Sequence, residues 1–231
     1  MPAPPLQQWG CNMGTRIPWA RCMTSDSCDP ELFHMSRIVA IAILLAFVPR
    51  QSAAQGSVAL FFGGAALALG AHETGHLTLD VAFSADPGLK KVTAGPFPFF
   101  AITHHPVSPA REFVISSAGF WVQHASDELI LAKHPDLRHE HAALLTGMLA
   151  FNTLTSVGYA IAAFAQRGPA ERDTRGMAAS AEVREPWIGA SILAPALLDG
   201  ARYYRPDAKW LKWASRATKI GGALLVIRAA R

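Results

Sequence analysis

His72-Glu73-Thr74-Gly75-His76 is an H-E-x-x-H sequence, and its chemistry follows from its spacing. On a helix, residues four apart project from one face, so both imidazoles can bind one ion while Glu73 stands beside a water held there. The expected ion is Zn²⁺, for which two histidines and one carboxylate leave a fourth position open to water. Glu73 is then the candidate catalytic base, taking the water's proton and returning it to a departing amine. Cys11, Cys22 and Cys28 all precede residue 35, so a third ligand must be His, Asp or Glu. Asn152 interrupts an apolar run and is a candidate to hydrogen-bond a substrate backbone, although helix–helix contact is the commoner use of such a residue. His104, His105, His134, His139 and His141 read as loop or surface histidines. His124, Asp127 and Glu128 read as hydrated groups without a catalytic role.

The elements that would carry these residues are strongly apolar. The chain of 231 residues is 51% hydrophobic and 16% charged, with mean hydropathy +0.20, which excludes disorder. Its apolar residues fall in long runs separated by polar segments, the pattern of a multi-pass integral membrane protein embedded in a lipid bilayer. The net charge of +4 comes from basic residues that flank apolar runs, as interface anchors do, so no nucleic-acid partner is expected. Residues 1–34 read as an upstream or disordered extension. Residues 35–54, with Arg37, a short apolar run and Ser52-Ala53-Ala54, read as a signal peptide or short anchor helix. Residues 55–231 would form the membrane-embedded domain. Expected spans are 57–80, 112–132 and 142–165, with a short fourth at 187–200 that contains Pro195. Pro96 and Pro98 mark 92–103 as an edge strand rather than a helix. In the tail, Lys209, Lys212, Arg216 and Lys219 share one face and Trp210, Trp213, Ala217 and Ile220 another, a basic amphipathic helix of the membrane surface. The expected fold is an all-α polytopic membrane helix bundle of about four to five spans, with a short β-like loop after the first mature span.

In this order of features the chain resembles the site-2 protease family of intramembrane zinc metalloproteases, over roughly residues 57–205. His72 and His76 match that family's zinc-binding histidines and Glu73 its general base. Ala118 and Gly119 match its Ala-Gly-Pro helix, with Phe120 in place of Pro. Leu198, Asp199, Gly200 and Arg202 resemble its Leu-Asp-Gly-Gly segment, with Ala201 replacing the second Gly. The resemblance implies an intramembrane zinc-dependent endopeptidase acting on membrane-protein substrates, with Asp199 as third metal ligand.

Counting spans opposes that last assignment. If spans two to four all cross, Asp199 finishes on the side opposite His76, whereas a zinc carboxylate must lie about 2 Å from the ion. Asp173, in the loop 168–176, lies on the matching side and is the rival ligand. Two further readings stand beside the protease. One is a membrane di-iron oxygenase or desaturase, from His72-x-x-x-His76 and the His104-His105 pair. The other is a catalytically silent membrane scaffold or assembly factor.

Overall fold

Apolar residues recurring every three to four positions fold this chain into six helices and one β-hairpin among the residues that the computed structural model describes, 55–94 and 97–229. They are α1 (Gln55–Ala82), β1 (Gly88–Ala94), β2 (Phe97–Thr103), α2 (Pro109–Lys133), α3 (Ala143–Ala165), α4 (Asp173–Ser180), α5 (Glu185–Tyr204) and α6 (Lys209–Ala229). The expected extension (1–34) and signal or anchor segment (35–54) lie outside the described residues.

The boundaries have local causes. Ser108 caps α2, its hydroxyl accepting from the Arg111 N–H, and Pro109 follows at a position where no backbone donor is needed. The hairpin is antiparallel, with Gly88 opposite Thr103 and Ala94 opposite Phe97. It is a two-stranded element where an edge strand alone was expected.

Helix α3 is central, packing against α1, α5, α2 and α4. Its crossing with α1 is close enough to require glycine on both sides. A Cβ on Gly64 would lie 1.9 Å from the Leu144 carbonyl oxygen, and one on Gly147 would lie 1.9 Å from that of Phe61. Around the crossing Phe61, Leu149, Ala150, Ile130 and Leu131 form one core cluster. Phe113, Phe120, Met177, Ile188 and Ile192 form a second, between α2, α4 and α5.

This packing corrects the membrane reading. Among the described residues only Ala143–Ala165 is long and apolar enough to cross a membrane, and 44% of its apolar window is buried inside the protein. The other expected spans do form helices, but helices that turn polar groups inward on one another. His72, His76 and Asp80 of α1, Gln123 and Asp127 of α2, and Asp199 and Arg202 of α5 are all buried. A polytopic bundle of four to five spans embedded in lipid is therefore not the architecture found.

The tail helix also inverts its expected sidedness. Lys219 and Ser215 of α6 are buried, while Trp210, Trp213, Ile220 and Leu224 are exposed. Acidic partners explain this: Arg216 and Lys219 reach Glu128 at 2.7 and 3.2 Å, and Lys219 also reaches Asp199 at 2.7 Å. Ion pairing orients the buried side of the helix.

Candidate metal centre

Two turns of α1 deliver His72 and His76 to one point, and the first residue of α4 brings Asp173 to the same point. Asp173 Oδ2 lies 3.3 Å from His72 Nε2 and 3.5 Å from His76 Nε2, and the two imidazole nitrogens are 3.2 Å apart. Both histidines are buried and Asp173 is nearly so. Among the described residues this is the one group of three or more His, Cys, Asp or Glu side chains converging within ligand distance. A tetrahedral zinc with donors about 2.0–2.1 Å away spaces them about 3.3–3.4 Å apart, and the three separations bracket that value. The cluster can hold a divalent metal ion.

The rings are oriented by different means. His76 Nδ1 donates to the Ile115 carbonyl at 2.8 Å, which leaves Nε2 with a free lone pair directed at the cluster. His72 Nδ1 is buried without a partner, so packing must fix that ring. Phe120 meets it edge-on at 5.5 Å between centroids, Tyr159 stacks at 6.3 Å, and Gly119 makes the space. A Cβ on Gly119 would fall 2.3–2.5 Å from three atoms of the His72 ring.

Electrostatics fit a cation at this point. Burial opposes ionisation of Asp173, yet the neighbouring His76 and His72 hold its carboxyl well below the usual range. Burial likewise disfavours a charged His76, but Asp173, the Ile115 carbonyl and Glu73 raise it to about 9. Without metal, a proton on His76 takes the place of the cation. Burial raises the Glu73 carboxyl, opposed by His72 and His76 and reinforced by Asp173.

The centre opens on a cavity of about 340 Å³ lined by Glu73, His76, Asp173, Tyr159, Phe100 and Ile102. Tyr159 was not anticipated. Burial and a hydrogen bond to Asp173 hold its phenol protonated above the ordinary range, with its O–H directed to the Asp173 carboxylate. The available sign was its position seven residues after Asn152, on the same face of an otherwise apolar helix.

Asp199 lies elsewhere. Helix α5 packs on α3, α6, α4 and α2 but does not approach α1, so its carboxylate cannot meet the histidines. It is fully buried and accepts from Ser215 at 2.6 Å, Lys219 at 3.0 Å and Arg202 at 3.1 Å. Asn152 is also away from the cavity, donating to Asp127 at 2.6 Å and Ser126 at 2.9 Å across the α2–α3 contact. Four other histidines pair separately: His104 with Glu112, His105 with Asp86, His134 with Glu140 and His139 with Asp136. They do not assemble the many-histidine ligand set of a di-iron oxygenase.

The chain matches no family, no curated protein and no solved structure. The resemblance to site-2 proteases therefore rests on short motifs alone, and the packed bundle, with a single membrane-length helix among the described residues, overturns it. Intramembrane proteolysis goes with it, and so do membrane-protein substrates, the bilayer as partner and the multi-pass localisation. A buried His-His-Asp centre remains, generically that of a metalloenzyme.

Proposed function

We propose that this protein is a zinc-dependent metallohydrolase of the peptidase type, with His72, His76 and Asp173 as ligands and Glu73 as general base. The observation that carries the reading is the juxtaposition of a three-sided, tetrahedrally spaced donor set with a glutamate and an open cavity. A structural zinc site would use four protein ligands and be closed. Zinc suits two imidazoles and one carboxylate, and when bound it supplies a lowered water pKa and polarises a carbonyl oxygen.

The chain's own residues do the rest. Glu73 accepts the proton of the attacking water, a step that its raised pKa favours, and passes it to the more basic leaving nitrogen. Tyr159, held protonated, directs its one O–H to Asp173 and so steadies the carboxylate that would serve as third ligand. Phe100 and Ile102 of β2 form one cavity wall, where an extended peptide could align along the strand with its apolar side chains facing them. The test is hydrolysis of a quenched fluorescent peptide library by the zinc-loaded protein and by Glu73→Gln. Cleavage by the wild type, reduced at least a hundredfold in a variant that retains zinc, is expected. Equal rates in the two proteins would remove Glu73 from the chemistry.

A further inference from the structure

Asp80 continues the face of α1 that carries His72 and His76, one turn further on, and no role described so far uses it. It is fully buried, and neither carboxylate oxygen has a hydrogen-bond partner. The obvious duty for it, orienting His76, is already performed by the Ile115 carbonyl. Its position is unfavourable on two further counts. It lies in the last turn of α1, where the helix dipole repels negative charge, and burial pushes its carboxyl up despite the nearby His104 and His76. A buried carboxylate at a helix C-terminus with no hydrogen-bond partner, offset only by neighbouring imidazoles, is a stability cost that ligand binding can explain.

The ligand's chemistry follows from the surroundings. Asp80 lines a second cavity, about 210 Å³, which shares His76 and Asp173 with the metal centre and on its other side has Glu112, His104 and Thr103. Glu112 is occupied: one oxygen takes the Ser116 hydroxyl at 2.8 Å and the other faces His104 Nε2 at 3.4 Å. Arg172, the arginine at this wall, is engaged by Glu185 at 2.6 and 2.7 Å and by the carbonyls of Gly168 and Pro169. No arginine or lysine therefore pairs with Asp80, and the positive groups that face it are the imidazoles of His104 and His76. The site is not a second metal cage, because Asp80, Glu112 and His104 do not converge within ligand distance. A single bare carboxylate beside an occupied acid is suited to an organic cation with several N–H donors.

We propose that this cavity binds a primary ammonium group of the substrate, with Asp80 as its counter-charge, and that Asp80 thereby determines specificity next to the reacting bond. The inference rests on the peptidase reading only in placing that ammonium on a peptide, as a lysine side chain or a free amino terminus. The apolar cavity on the other side of His76 and Asp173 would take the neighbouring uncharged residue.

Two measurements separate the inference from the peptidase reading. The first uses n-butylammonium chloride at constant ionic strength, with n-butanol as the uncharged control, and reads the thermal midpoint of the wild type and of Asp80→Asn. The ammonium should raise the wild-type midpoint and leave the variant's unchanged. Asp80→Asn alone should melt higher than the wild type while keeping one metal per chain. No ammonium effect, an equal effect on the variant, a variant that melts lower, or a second metal ion per chain would each overturn the site. The second measurement titrates zinc-loaded Glu73→Gln with peptides differing only as lysine or norleucine, each with a free or acetylated amino terminus. Binding about tenfold or more tighter for one charged form, lost in the double variant with Asp80→Asn, is expected, and whichever pair differs names the source of the ammonium. Equal affinities would overturn the assignment to substrate. A butylammonium response with no peptide bound would leave the cation site standing and overturn the peptidase reading alone.

Discussion

Asp173 and Asp199 carry the same carboxyl group, and their neighbours give them opposite work. Asp173 faces two imidazoles whose outward nitrogens have no other demand, whereas Asp199 faces Lys219, Arg202 and Ser215. Replacing Asp173 with Asn should abolish stoichiometric zinc and leave the fold intact, as read by metal analysis and circular dichroism. Replacing Asp199 with Ala should keep the zinc and lower stability by about 1–3 kcal/mol in urea titration, because the buried Lys219 and Arg202 would lose one of their two acidic partners and keep only Glu128. Loss of zinc from the Asp199 variant at full stability would reverse the two roles. How much of this was legible varies by residue. The H-E-x-x-H spacing places His72, Glu73 and His76 unaided, because one helix positions all three. The third donor comes from a distant element, and motif likeness favoured Asp199 while the span count pointed to Asp173. Asp80 went unnoticed because nothing in a sequence announces an unpaired carboxylate.

At the scale of elements, the centre depends on how closely α2 approaches α1. Gly119 leaves room for the His72 ring, so Gly119→Ala should push that ring aside and weaken zinc binding at least tenfold in a chelator competition, with helix content unchanged. The α1–α3 crossing provides a contrast. Gly147→Ala meets backbone rather than a side-chain tip, so it should cost about 1–3 kcal/mol in stability through forced separation of the two helices. Positions of the long helices were readable from their apolar periodicity. The short α4 was not, since eight residues with Gly176 among them give no period to detect, yet α4 supplies Asp173. The face that α6 buries was misjudged for another reason. Its basic stripe has a lipid-like and a protein-like explanation, and only the location of Glu128 and Asp199 on neighbouring helices decides between them.

At the scale of the whole molecule, apolar runs read as lipid-facing spans because a protein neighbour and a lipid neighbour leave the same compositional trace. Buried polar groups on nearly every helix distinguish the two, and they also make stability depend on pH. In metal-free protein His76 is raised from 6.5 to about 9, so its contribution is complete below pH 6.5 and is lost as the pH rises through 9. That amounts to about 3 kcal/mol at 1.36 kcal/mol per pH unit. His124 acts on the acid side: burial, with Lys219 nearby, lowers it to about 3, so its contribution is present above pH 6.5 and lost as the pH falls toward 3. Urea titrations of chelator-treated protein between pH 6.5 and 9 should show the decline, and His76→Gln should flatten it. Zinc should reverse the trend over the same range, because metal and proton compete for His76. The most direct test of the centre is metal stoichiometry combined with X-ray absorption on the purified chain. One zinc per chain is predicted, with two imidazole nitrogens and a carboxylate oxygen at about 2.0–2.1 Å, lost together in His76→Ala and Asp173→Asn and kept in Asp199→Asn. A wild-type protein with no stoichiometric metal after zinc loading, or one whose metal persists without Asp173, would contradict it.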